Sequence, residues 1–234
     1  MIPRSRFLVI GHDHVAGLGY LGERLQQLQV SLQQVTVVPK ERALRPNVDF
    51  HYPDPRGWDG IITLGAPWPR DETAQWWPRE VSFLRSAFEA EIPILGICFG
   101  GQLLAEALGG GTRPLEFTRL GWSTIDGAAT GDYGGHWFQY HSDQLVPPPA
   151  ASILATSEDG CEAFGIGSAV GLQYHPEMNL ALLRDWLGAP TSHISEACRD
   201  DLLRETWAQE RCRLRERVHG LTMTIVQSML STVG

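Results

Sequence analysis

Cysteine is scarce in this chain of 234 residues, and the four present (Cys98, Cys161, Cys198 and Cys212) form no CxxC pair and no tight ligand spacing. Such a scatter reads as a reducing compartment, with at most one cysteine used chemically. Basic residues are in deficit: 19 Lys+Arg against 27 Asp+Glu give a formal net charge of −8. A phosphate backbone must be neutralised by Lys and Arg, so no nucleic-acid partner is expected. Long apolar runs are missing too. Nothing approaches the roughly 20 apolar residues that span a bilayer. The N-terminal stretch offers only the short run Phe7-Leu8-Val9-Ile10, too little for the apolar core of a secretion signal. The expectation is a cytoplasmic protein without membrane contact. Internal repeats are absent, and low complexity is confined to Pro147-Pro148-Pro149.

What is present is globular in character. The chain is 43% apolar and 20% charged, which excludes disorder and fibrous architecture. Its length suits one large α/β domain, or one with an appendage, burying roughly 70% of the unfolded surface. Short β-rich runs alternate with helical patterns over the first 110 residues, as in βαβ units with a mainly parallel sheet. The expected strands are RFLVIGH from Arg6, then 34–38, 60–65 and 92–97; helices are expected from Leu18 to Leu28 and around Val81, Leu84 and Phe88. GWSTID, HWFQYH, SILATS and AVGLQY follow, short alternating segments that suggest a mixed or antiparallel extension. Leu203, Trp207, Leu214, Val218, Leu221, Ile225 and Met229 then recur at helical spacing, read as one long amphipathic helix with a candidate break at Gly220. The expected architecture is a three-layer α/β sandwich over residues 1–190, with a helical C-terminal extension over 191–234.

Two stretches carry the chemistry. ILGICFGGQLL runs from a buried strand through Gly96-Ile97-Cys98-Phe99-Gly100 straight into a helix, the strand–turn–helix of a nucleophile elbow with Cys in place of Ser. Glycines two before and two after Cys98 let strand and helix approach. The elbow lifts the thiol at the carboxyl end of the sheet and sets it at a helix N-terminus, which favours thiolate. The second stretch, SAVGLQYHPE, ends a strand in Tyr174-His175-Pro176-Glu177. A thiol nucleophile needs a base, and the base needs a group to orient it; His175 and Glu177 supply both. Taken alone, a cysteine on a glycine turn is often core, and His-Pro-Glu is often a surface turn. Together they read as a site.

With Gly65-Ala66-Pro67 and FQYHSD at 138–143, these motifs resemble the class I, triad-type glutamine amidotransferases, whose fold is flavodoxin-like. The resemblance covers residues 6 to 180, and standalone members akin to the amidotransferase domain of GMP synthetase are most similar. It implies that Cys98 attacks the glutamine side-chain amide to form a γ-glutamyl thioester. His175 would move the protons, and Glu177 would hold His175. The backbone N–H groups of Ala66 and Phe99 would meet the oxyanion. Glutamine would be bound by Gly65, Gln102, Tyr140, His141, Ser142 and Asp143. No cofactor or metal is implied, and the ammonia would pass to a separate synthetase or other accepting partner. Two positions depart from the family pattern. Ala66 stands where glycine is usual, which keeps the N–H but resists positive φ, and Ser142 also replaces a glycine.

Alternatives remain at this stage: a γ-glutamyl hydrolase or peptidase with the same thioester chemistry, and a non-catalytic binding protein that keeps the fold. Other features read as structural. His12-Asp13-His14 has no third ligand and is expected on a solvated or pocket-rim loop. Gly11 to Gly22 lacks the GxGxxG order of a dinucleotide site. Trp68, Trp76 and Trp77 are expected in core or lid packing, and RCRLRERVHG on a solvated helix face.

Overall fold

The first strand, β1 (Arg6–Gly11), is buried at every position after Arg6. It lies between β2 (Ser31–Thr36) and β3 (Gly60–Thr63), parallel to both. In this computed structural model, which describes residues 5–127, 132–192 and 194–230, β4 (Ile94–Ile97) and β9 (Ala169–Leu172) continue the parallel run. β8 (Gly160–Ile166), β7 (Ser152–Ser157), β5 (Gly111–Gly127) and β6 (Gly135–Val146) extend it with antiparallel pairings. The order β2-β1-β3-β4-β9-β8-β7-β5-β6 therefore opens with the doubly wound arrangement expected and ends in a hairpin extension.

Alternation along the strands makes the layers. Phe7, Val9, Ile62 and Leu95 join one core with Leu21 and Leu25 of α1 (Gly19–Gln27), Leu183 of α4 (Leu180–Gly188) and Leu221 of α6 (Leu214–Leu230). Leu8, Ile10, Ile61 and Ile94 face the opposite core, with Leu84 of α2 (Trp77–Glu89) and Leu104 of α3 (Phe99–Ala107). Helices on both faces and a sheet between them give the expected three layers. α5 (Glu196–Arg211) adds its own ties, since Trp122 Nε1 donates to Thr206 Oγ1 at 2.9 Å and Leu180 N to Glu210 Oε1 at 2.8 Å.

Several boundaries differ from expectation. The second strand starts at Ser31 rather than residue 34, and β8 was not among the expected segments. The long C-terminal helix is two helices that break at Cys212-Arg213, where Arg213 takes a φ of 64°, while Gly220 lies inside α6. Leu214, Val218, Leu221, Ile225 and Met229 are buried as their spacing requires. In α5 the inward face is Leu202 and Thr206, and Trp207 is 51% exposed. The arginines of the following segment are not simply solvated: Arg215 stacks over Tyr20 and Arg217 over Trp137. The first and last four residues of the expected domain spans lie outside the described residues.

Candidate active site

Cys98 joins β4 to α3 with φ 52° and ψ −111°, a left-handed backbone that a non-glycine residue holds only when its surroundings enforce it. They do so here. Cys98 N donates to Leu172 O of β9 at 2.8 Å, and Gly100 N donates to Leu64 O at 3.0 Å. A Cβ on Gly96 would lie 2.6 Å from Gly100 O, and one on Gly100 would collide with Thr63 O. The two glycines are thus fixed by close approach of β4, β3 and α3.

His175 follows β9 and is held by its own backbone, His175 N to Phe138 O at 2.8 Å. Its Nδ1 pairs with Glu177 Oε1 at 2.7 Å, and both residues are buried. Among the described residues, His175 Nε2 and Glu177 Oε2 have no hydrogen-bond partner. Trp186 lies edge-on to the imidazole at 5.0 Å. Burial alone lowers the pKa of His175, but the charges of Cys98 and Glu177 beside it outweigh burial and raise it to about 10.

Cys98, His175 and Glu177 line one cavity of about 390 Å³ at the carboxyl ends of the parallel strands. Gly65, Ala66, Phe99, Gln102, Tyr140, His141, Ser142 and Asp143 line it as well, so the residues that the family resemblance pointed to share one cavity. Their individual settings refine the expectations. The Cys98 thiol lies 3.7 Å from Tyr140 O. Gln102 Nε2 donates to Asp143 O at 2.8 Å and so ties α3 to β6. His141 is held by Gln139 Oε1 and Asp143 O, and burial pushes its pKa down to about 4. Ser142 is exposed at the rim and bonds Thr118 through its hydroxyl at 3.0 Å. Ala66 is not among the described residues with left-handed backbone, so alanine there carries no φ strain. Gly65 is the constrained position: a Cβ on it would lie 3.2 Å from His175 Cε1.

The sequence reading erred on His12, which is fully buried rather than at a solvated rim. Its Nδ1 lies 3.0 Å from Gly65 O and its Nε2 2.9 Å from Glu80 Oε2. With both nitrogens so engaged, His12 has none left for a metal. Asp13 does reach the cavity. Glu80 went unremarked, although an acid in line with Leu84 and Ala87 on the buried face of α2 was a visible signal. Trp76 is core, stacked on His12 at 5.0 Å, whereas Trp68 lines the cavity.

A thiol, an imidazole and a carboxylate in one cavity at the strand ends of a doubly wound sheet can together supply a nucleophile, a base and its orienting group. The chain belongs to the glutamine amidotransferase class-I family, whose profile matches residues 19–184. It is similar to a glutamine-hydrolysing GMP synthase of Alcanivorax borkumensis, 31% identical over 140 residues, which are 53% of this chain and 26% of that protein. It is also similar to anthranilate synthase component 2 of Archaeoglobus fulgidus, 29% identical over 153 residues, or 62% of this chain and 75% of that one. The matched part of the GMP synthase is thus about a quarter of its length. Among solved structures, a glutamine amidotransferase from Thermotoga maritima superposes with a TM-score of 0.77 at 22% identity, covering 96% of this chain and 99% of that one. One from Methylobacillus flagellatus gives 0.74 at 19% identity, covering 96% and 95%. At such identities the structures share the fold. Among the described residues no helix is long and apolar enough to cross a membrane.

Proposed function

We propose that this chain hydrolyses the side-chain amide of glutamine through Cys98, His175 and Glu177. The observation that carries the reading is the His175 ring, fixed at Nδ1 by Glu177 at 2.7 Å with Nε2 unpartnered in the cavity it shares with Cys98. His175 takes the thiol proton as the Cys98 sulfur attacks the amide carbon, and the oxyanion is met by the N–H groups of Ala66 and Phe99. As the C–N bond breaks, His175 gives its proton to the nitrogen and ammonia leaves. His175 then takes a proton from water, whose oxygen attacks the thioester. Glutamate departs, and the proton returns to the thiol. Each donor in such an oxyanion site supports roughly a 100- to 1000-fold rate gain. Gly65, Gln102 and the 140–143 segment hold the amino-acid end. The ammonia goes to a synthetase partner, and residues 191–234 form an extension built on the domain of residues 1–190.

A second reading, hydrolysis of γ-glutamyl peptides or conjugates, is favoured by the cavity wall beside His175. Trp186, edge-on to His175 at 5.0 Å, lines the cavity together with Ala189, Ile194 and Val15, and ammonia needs no such apolar wall. Glutamate release from glutamine and from γ-glutamyl amides of rising size, with Cys98→Ala as control, tests both. Release from glutamine that falls with amine size supports the amidotransferase. Release confined to the larger amides supports the hydrolase, and none from either defeats the proposal.

A further inference from the structure

His12 and Glu80 lie 68 residues apart in the chain and meet behind the cavity, where the acyl-transfer chemistry has no direct use for either. Glu80 is saturated with donors: Tyr52 Oη at 2.8 Å, Thr63 Oγ1 at 2.5 Å and His12 Nε2 at 2.9 Å. A buried carboxylate so surrounded is ionised, and its neighbour Nε2 must carry a hydrogen. That fixes the other nitrogen. An unprotonated Nδ1 would set its lone pair against the Gly65 carbonyl oxygen at 3.0 Å, two acceptors face to face. The contact is satisfied only if Nδ1 is also protonated, so His12 is an imidazolium that donates at both ends. Its charge balance agrees: burial lowers its pKa, but the Glu80 carboxylate and the bond to Gly65 O, with a smaller share from Asp13, together raise it.

The acceptor of the second bond matters. Gly65 O and Ala66 N–H belong to one planar peptide unit and point in opposite directions, so a bond that holds the oxygen also aims the N–H. The strand before it is already fixed by backbone bonds, Leu64 N to Ile10 O and Gly100 N to Leu64 O, both at 3.0 Å. The 65–66 unit is the first beyond that ladder, and a side chain holds it. A cationic donor on the carbonyl also polarises the peptide and strengthens its N–H. The same imidazole meets the ring of Phe99, the residue of the other oxyanion donor, edge-on at 5.3 Å.

We infer that His12, anchored by Glu80, is a positioning residue that orients and polarises the Gly65–Ala66 peptide so that the Ala66 N–H serves the oxyanion. The inference rests on the proposed function for its kinetic consequence and on geometry alone for the peptide itself. Two substitutions separate this role from simple packing. In His12→Asn the side-chain amide nitrogen stands where Nδ1 does and keeps a donor to Gly65. In His12→Gln the amide reaches the place of Nε2, keeping Glu80 and losing Gly65. Both remove the ring and its stacking on Trp76.

The assay is steady-state glutamate release, alongside alkylation of Cys98 by iodoacetamide, a displacement that forms no oxyanion. His12→Gln is expected to lower kcat about 10- to 100-fold, less than outright loss of an oxyanion donor. KM and the Cys98 alkylation rate should stay within about threefold, and His12→Asn should recover most of kcat. Equal losses in both variants, or alkylation falling in step with kcat, would overturn the inference. If the wild type releases glutamate from neither glutamine nor γ-glutamyl amides, the functional proposal has failed separately, and the Ala66 amide resonance decides. A shift in His12→Gln that His12→Asn does not share supports the positioning role, and equal shifts refute it. Should neither variant fold, the nitrogen-15 spectrum of wild-type His12 near neutral pH is decisive: both ring nitrogens protonated supports the inference, and a bare Nδ1 overturns it.

Discussion

Replacing Gly65 by alanine tests the packing of the site through a single methyl group. The added Cβ would lie 3.2 Å from His175 Cε1 and 3.7 Å from Cys98 Cβ. Carbon atoms at rest stand about 3.5–4.0 Å apart, so the imidazole must give way by about 0.3–0.8 Å. Trp186 packs edge-on against it at 5.0 Å, and Glu177 holds it by a 2.7 Å hydrogen bond, so its room to move is small. Gly65 is not among the described residues with positive φ, so the substitution acts through this contact and not through backbone strain. A 1 Å misplacement costs about 100-fold in rate, which scales to about 4- to 40-fold in kcat for this displacement. KM should change by about twofold or less, because the methyl group presses on the proton-transfer group. Overpacking should cost about 1 kcal/mol of stability, a fall of about 2–4 °C in Tm. Steady-state glutamate release and thermal unfolding read both quantities. A Gly65→Ala protein with wild-type kcat, or one impaired only in KM, would refute the reasoning.

Glu177→Gln removes the carboxylate that helps raise His175 and allows the wrong tautomer to form; kcat should fall by about 10³–10⁴, and a loss under tenfold would argue against the pair. The His12–Glu80 pair should show in stability against pH. The His12 contribution is complete below its ordinary value of 6.5 and is lost as pH rises through its raised pKa, whereas the Glu80 contribution is complete above 4.5 and is lost as pH falls through its lowered pKa. Urea unfolding should therefore give wild type its largest advantage over Glu80→Gln, about 3 kcal/mol, between about pH 4.5 and 6.5, and a gap that does not vary with pH would contradict the ion pair. Peptide mapping after brief alkylation near neutral pH should find Cys98 modified along with the exposed Cys198 and Cys212. Cys161 should be spared, because burial pushes its thiol up to about 12; early modification there would contradict its setting.

What the sequence revealed followed the locality of its signals. The elbow at Cys98 and the end of β9 at His175-Pro176-Glu177 each occupy a few consecutive residues, and local pattern carried them. Gln102 and the 140–143 segment were legible through resemblance to a family, and the structure brings them to the same cavity wall. β8 was obscured because Cys161 and Glu162, both buried, interrupt the pattern expected of a short strand. The break between α5 and α6 rests on the positive φ of Arg213, a conformation that no glycine announces there, whereas Gly220 stays helical. His12 was misplaced for a different reason. A histidine between a strand and a loop looks solvated until Glu80, Tyr52 and Thr63 are brought around it, and that convergence is a property of the fold. Ala66 shows the reverse error: the feared conflict with positive φ does not arise, because closeness to His175 constrains Gly65 instead.

The central claim is a covalent γ-glutamyl intermediate on Cys98. Acid quenching of the chain during turnover of glutamine, followed by peptide mass mapping, tests it most directly. The account predicts a γ-glutamyl adduct on the peptide that carries Cys98, gone when the substrate is exhausted and never formed by Cys98→Ala. Glutamate release that persists in Cys98→Ala, or an adduct on another residue, would contradict it.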